Sequence, residues 1–276
     1  MSLHTFFSYL NNKRVIIVGP SPSLIGKNLG KMIDEYDIII RIKRSFPVDN
    51  TLVNDLGKKT NILITSLKVN PVKDMNKKIY YQNNFHINTI KCMEKELDYL
   101  CFAYPITIEP FKKFYTQFKT LPIKKVKLIT AEEIKPKYKQ FIEELNTTPT
   151  VFLATVWLLQ LSKLKELKII GITFQKDGYL KEYKTKNMME ASKYRTLIRR
   201  KSGNNTVHNM NCEIQYFIKN IWKDRRVRVD SNLENILLIE EKKIKFINKH
   251  VPFWKPFYYG EKINKTDFDK LLSFDK

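Results

Sequence analysis

The stretch RVIIVGPSPSLIGKNLGKMIDEYDIIIRI, Arg14 to Ile42, decides the fold. A continuous Val/Ile run stops at Gly19-Pro20-Ser21-Pro22-Ser23. A segment of helical periodicity follows, and a second Ile run begins after Asp37. Runs that are apolar throughout, rather than alternating, suit parallel strands covered on both faces. Four more follow: NILIT (61–65), YLCFAY (99–104), KVKLIT (125–130) and LKIIGIT (167–173). Helix-like segments lie at 22–34, 106–118, 131–145 and 149–163. Strands alternating with helices predict an α/β fold with a doubly wound, mostly parallel, Rossmann-like sheet.

In such a sheet, ligands gather at the carboxyl ends of the strands, and Gly19–Ser23 is one such end. Gly19 is expected to let the backbone approach a ligand. Ser21 is expected to cap the next helix, with Pro22 at its first position. The N–H groups beyond would then face a phosphate. Gly26 and Gly30, four apart, are expected to share a helix face packed on the sheet. The turn is neither G-x-G-x-x-G nor a Walker loop ending in GKS or GKT, which argues against NAD, FAD and P-loop chemistry.

Two further segments carry chemistry. Thr147-Thr148-Pro149-Thr150 precedes an apolar helix, with Thr148 expected as its N-cap and Pro149 as its first residue. That helix leads to a strand ending in Gly171-Ile172-Thr173-Phe174, so two helix N-termini are expected to converge on one crevice. Later, Val207, Met210, Ile214, Phe217, Ile218 and Ile221 recur at helical spacing, and His208 and Glu213 fall off that stripe. An imidazole that titrates near neutrality serves as a general base when a neighbour orients it.

The 50 Lys and Arg against 28 Asp and Glu give a net charge of +22, a surface that attracts anions. Nucleotide donors, acidic glycans, anionic lipids and nucleic acids are the candidate partners. The joint abundance of Lys, Ile and Asn also fits the composition of an AT-rich gene. The apolar fraction of 43% excludes a disordered chain. Cys92, Cys101 and Cys212 have no metal-type spacing and suit a reducing compartment as free thiols. No secretory leader is read in the first residues. The longest apolar run, Val151 to Leu161, is too short to span a bilayer. A cytoplasmic protein is expected, peripheral to a membrane if the basic aromatic segment 240–265 meets lipid. The domain reading is a Rossmann-like domain over 1–225 and a basic aromatic extension over 226–276 packing on it. Asp267-Phe268-Asp269 lies in the charged tail rather than at a strand end and reads as surface, so no metal site is expected. No G-x-S-x-G hydrolase elbow is present.

The order of the motifs resembles the sialyltransferases. Residues 15–48 are similar to the large sialyl motif of the animal-type enzymes, with Gly19, Ser21, Leu24, Gly30-Lys31, Ile33-Asp34, Asp37, Arg41 and Pro47-Val48 in step. Residues 148–174 resemble the small motif, and His208-x4-Glu213 the very small one. The Gly171–Phe174 ending also looks like the bacterial sialyltransferases. The resemblance implies a metal-independent, inverting glycosyltransferase on a Rossmann-like GT-A-variant fold. It implies no cofactor, a CMP-sugar (sialic acid or a related keto-sugar) as donor, and a glycan or glycolipid as acceptor. It implies His208 as general base, Glu213 as support for the His-bearing helix, and a nucleotide site at Gly19, Pro20, Ser21, Ser23, Arg41, Lys43, Thr148, Thr150, Gly171 and Thr173. The chain departs from the family pattern: Pro20 and Lys43 stand where asparagines are usual and Val151 where a glycine is usual, the family's His-Tyr motif has only Ser192-Lys193-Tyr194 near its place, and the cysteines that bridge the large and small motifs are absent. Two alternatives stay open: an inactive basic protein on the same fold that binds an anionic glycan, lipid or nucleic acid, and a transferase using another nucleotide-sugar. Nucleic acid is the least expected partner of the active enzyme.

Overall fold

The computed structural model describes residues 3–43, 45–65, 70–73, 79–82, 95–102, 127–129, 134–174, 176, 180 and 209–250. The expected helix at 106–118, Cys92, His208 and the tail carrying Asp267 and Asp269 lie outside them.

All six apolar runs form strands: β1 (Arg14–Val18), β2 (Ile38–Ile42), β3 (Ile62–Thr65), β6 (Tyr99–Phe102), β7 (Lys127–Ile129) and β8 (Glu166–Ile170). Among the described residues there are also a separate antiparallel pair, β4 (Asn70–Lys73) with β5 (Ile79–Gln82), and a short β9 (Val227–Val229). Seven strands join in the order β7-β6-β3-β2-β1-β8-β9, every neighbouring pair parallel. The fold is therefore α/β and Rossmann-like. The chain winds outward from β1 through β2, β3, β6 and β7, then returns to β8 on the other side of β1. That reversal puts the topological switch point between β1 and β8.

Residues of one strand serve two cores, because successive side chains point to opposite faces. Val15 and Ile17 of β1, with Ile38 and Ile40 of β2, face the larger core. Helices α1 (Leu3–Leu10), α4 (Lys135–Leu145), α5 (Val151–Gln160) and α6 (Met210–Tyr216) cover that face. Ile16, Val18 and Ile39 face the smaller core under α2 (Gly30–Asp34) and α3 (Val53–Leu56). This two-sided burial is the physical reason for the unbroken apolar runs. Helix α5 buries Val151 through Leu159 on every side, as its uniformly apolar sequence requires. β9 pairs with β8, and α7 (Ser231–His250) sends Leu233, Ile236 and Leu237 into the larger core. Among the described residues, no helix is long and apolar enough to cross a membrane.

Two local expectations are corrected. The segment 22–34 is not one helix: a single 3-10 turn, Pro22–Leu24, is followed by a loop and then by α2. Gly26 sits in that loop at φ +74, held by Asp55, whose carboxylate accepts the Gly26 and Asn28 N–H groups at 2.8 Å each. Gly30 packs not on the sheet but on α3, where a Cβ would lie 2.2 Å from the Val53 carbonyl oxygen. Gly26 and Asn28, both poor helix formers, favour a loop here over continuous helix.

Candidate functional site

The switch point brings two strand ends into backbone contact. Gly19 N–H donates to the Ile170 carbonyl at 2.8 Å, and Ser21 N–H donates to the Gly171 carbonyl at 3.1 Å. A Cβ on Gly19 would lie 2.2 Å from the Gly171 oxygen. Glycine is needed here, but what approaches it is the protein's own Gly171 rather than a ligand. Gly171 itself adopts a left-handed φ of +66, which glycine accepts without penalty.

Ser21 caps the turn as expected, its hydroxyl accepting Ser23 N–H at 3.1 Å and donating to the Ser23 hydroxyl at 2.9 Å. The expected row of outward-facing amides is not formed. Gly19 and Ser21 donate to the β8 end, Ser23 to the cap, and Leu24 and Ile25 to the carbonyls of Ser21 and Pro22. Pro20 and Pro22 have no N–H to give. Two prolines and a three-residue 3-10 turn thus close the turn on itself. Pro20 and Ser23 stay half-buried on its outer side, and Ser21 is buried.

Helix α5 begins later than its sequence suggested. Thr150, not Thr148, is the N-cap, accepting Leu153 N–H on its hydroxyl at 3.3 Å, while Thr148 stays exposed. The physical reason is Glu213. Its carboxylate accepts the Thr150 N–H at 2.7 Å and the Thr150 hydroxyl at 2.6 Å, fixing Thr150 in an extended conformation. Both donors of Thr150 are therefore engaged within the protein. Glu213 is fully buried, and burial raises its carboxyl to about 7, against the opposing pull of the two Thr150 bonds.

The start of α6 docks on the same segment. Asn209 caps α6 by accepting Asn211 and Cys212 N–H groups, and its own N–H donates to the Thr147 hydroxyl at 3.2 Å. Because α5 and α6 each precede a strand of the parallel sheet, their N-termini lie at its carboxyl edge. Three rings join these parts: Phe152 of α5, Phe174 beyond β8 and Phe217 after α6 pack with centroids 5.7 to 5.8 Å apart. The structure thus brings together Gly19, Ser21 and Gly171 in one contact and Thr150 and Glu213 in another, with Thr173 buried between Ile172 and Phe174.

Arg41 is engaged within the protein. Arg41 is fully buried and donates to Thr60 and to the carbonyls of Leu56, Gly57 and Lys59, so its guanidinium caps the end of α3. Lys43 follows β2 in a left-handed φ of +54, its N–H donating to Ile64. Cys101 and Cys212 are buried free thiols, as their spacing suggested. Among the described residues no group of His, Cys, Asp and Glu could hold a metal ion.

Sequence reading missed Asp230, which accepts the Gly171 N–H at 2.6 Å, and Glu240, buried against Lys176 at 2.6 Å. Asp230 was detectable in principle as an N-cap, since an aspartate directly precedes the periodic helix from Ser231.

A family model for glycosyltransferase family 29 (sialyltransferase) matches residues 6–224. Among solved structures, the chain is similar to a mammalian sialyltransferase in complex with Gal-beta-1-3GalNAc-ortho-nitrophenol, at 13% identity, covering 79% of this chain and 69% of that one with a TM-score of 0.44. It is also similar to the sialyltransferase CstII from Campylobacter jejuni in complex with the substrate analogue CMP-3FNeuAc, at 19% identity, covering 81% and 85% with a TM-score of 0.48. A CstII complex with cytidine-5'-monophosphate matches at 17% identity over 82% and 84%, also at 0.48. No curated protein sequence matches. The family match runs from α1 to the turn before β9 and takes in all three motif segments, so the chain belongs to glycosyltransferase family 29, the sialyltransferase family, and is a sialyltransferase-like glycosyltransferase.

Proposed function

We propose that the protein transfers sialic acid or a related keto-sugar from a CMP-activated donor to a glycan or glycolipid acceptor, with inversion and without a metal. The carrying observation is the Glu213–Thr150 clamp, which ties the H-x4-E segment to the segment before α5 at the carboxyl edge. His208 directly precedes Asn209, the residue docked on Thr147. In this reading His208 takes the proton from the acceptor hydroxyl as its oxygen attacks the anomeric carbon. The bond from that carbon to the phosphate oxygen breaks, and CMP departs with the electron pair. Inversion needs the base and the leaving phosphate on opposite faces of the sugar. The nucleotide lies at the switch point, against Gly19, Pro20, Ser21 and Ser23 on one side and Thr148, Gly171 and Thr173 on the other. Thr150 acts as the anchor of Glu213, and Arg41 shapes the site from inside by holding residues 56–60. Exposed hydroxyls and cations, Lys43 among them, stand near the leaving charge. The solved mammalian structure holds Gal-beta-1-3GalNAc-ortho-nitrophenol, and the Campylobacter CstII structures hold CMP-3FNeuAc or cytidine-5'-monophosphate. The basic aromatic tail is the part proposed to meet a membrane.

A thermal-shift panel of CMP, CDP, UDP and GDP tests the donor. Stabilisation by CMP is expected, and none by any cytidine nucleotide would remove it. His208→Ala is expected to keep CMP stabilisation and lose transfer; full transfer would remove the base. The closed Gly19–Ser23 turn favours one second reading, an inactive protein that binds an anionic ligand on its +22 charge. That reading predicts salt-sensitive anion binding with no nucleotide preference.

A further inference from the structure

We infer that Asp230 is a positioning residue for the nucleotide site: its carboxylate joins the strand-end peptide at Gly171 to the first turn of α7, and through Gly171 it sets the Gly19–Ser21 turn. One oxygen accepts Gly171 N–H at 2.6 Å, and the other accepts Leu233 N–H at 2.7 Å. The backbone of Asp230 is fixed on both sides. Its N–H donates to Ile169 at 3.0 Å, and its carbonyl accepts Glu234 N–H at 2.9 Å. The carboxylate cannot shift without disturbing the β8 edge or the helix start.

Gly171 transmits the constraint. At φ +66 its N–H faces Asp230 while its carbonyl accepts Ser21 N–H at 3.1 Å. A Cβ there would lie 2.5 Å from a methyl of Leu24, so the peptide is packed as well as bonded. Asp230 thus reaches the first turn through two successive hydrogen bonds, the first strengthened by the carboxylate charge. The outer part of the same loop is braced by the same helix. Lys176 pairs at 2.6 Å with Glu240, only 4% exposed, which Lys243 also meets at 2.9 Å. Helix α7 therefore acts as a strut with two attachments to the loop that follows β8.

This inference rests on the nucleotide reading for its effect on activity, and its structural part can be tested apart from it. Asp230→Asn keeps an N-cap acceptor but has one oxygen, which cannot serve both Leu233 and Gly171. Asp230→Ser keeps a cap and is too short to reach Gly171. In the ligand-free protein, both variants are expected to speed hydrogen exchange at the Gly171 and Ser21 amides roughly tenfold. Amides inside α5 should keep the wild-type rate. With CMP, the dissociation constant is expected to rise roughly tenfold, and the donor KM to rise more than kcat falls. Wild-type exchange at Ser21 in both variants would overturn the inference, as would a wild-type CMP dissociation constant in the face of faster exchange. If the wild-type protein binds no nucleotide, the functional reading fails, and the exchange rates alone decide the positioning role.

Discussion

Glu213 and Thr150 share two hydrogen bonds, of 2.7 and 2.6 Å, across 63 positions of sequence. The carboxylate is fully buried and titrates near 7, well above an exposed glutamate. Between the ordinary carboxylate range and that value, the folded chain holds a proton that the unfolded chain has released. Stability from this group is therefore complete below the ordinary carboxylate range and is lost as pH rises from there through about 7, by roughly 3 kcal/mol in all. Glu213→Gln cannot ionise and is expected to flatten that part of the profile. Urea unfolding at pH 5, 6, 7 and 8 measures it; an unchanged slope in the variant would show that Glu213 is not its source.

Thr150 combines an N-cap with both contacts to Glu213. Thr150→Val removes the hydroxyl and leaves one carboxylate oxygen without its donor. A loss of about 2–3 kcal/mol is expected from the cap and the buried acceptor together. Thr150→Ser should restore most of it. Chemical denaturation of the two variants separates them, since a purely steric role would make serine the worse substitute.

Two glycines predict different outcomes. Gly19→Ala drives a Cβ into the Gly171 backbone, and Gly30→Ala drives one into the Val53 carbonyl, each at 2.2 Å. Both should destabilise by roughly 1–3 kcal/mol, as overpacked sites do. Only Gly19→Ala should also weaken CMP, because Gly30 lies at the α2–α3 contact, away from the switch point. Calorimetric titration at a temperature where both variants stay folded distinguishes them; equal weakening would mean that the β1 end has no special tie to the ligand.

Lys43 occupies a left-handed backbone conformation at φ +54. Asparagine adopts that region more readily than lysine. Lys43→Asn is expected to raise stability by about 0.5 kcal/mol. If the Lys43 charge meets the departing phosphate, the same variant should weaken CMP in a salt-dependent way. Melting curves and CMP titrations at low and high salt give both answers.

The strands were legible because parallel strands buried on both faces leave unbroken apolar runs, and all six were found within a few residues of their expected bounds. β9 was not legible: Val227–Val229 alternates with Arg228 at the sheet edge and is only three residues long. At the site, the capping role of Ser21 followed from local chemistry. The true N-cap at Thr150 did not, because Glu213 selects it from the far end of the sequence. Gly19 was read as a place where the backbone admits a ligand, and in the structure it is Gly171 of the same chain that approaches it. Arg41 entered the nucleotide site only through the family resemblance. Its partners, the carbonyls of Leu56, Gly57 and Lys59, are set by how α3 folds back, which no motif encodes.

The reversal of the chain at β1 also has a consequence during synthesis. One edge of β1 pairs with β2 almost as soon as both emerge. The other edge must wait about 150 residues for β8, a delay of roughly ten seconds or more at ordinary translation rates. Throughout that interval a nascent chain carries a row of unpaired backbone groups along that edge of β1. A ribosome that stalls before Glu166 would release five of the sheet's seven strands with this edge of β1 bare, and neither the switch point nor the Asp230 bridge could yet exist.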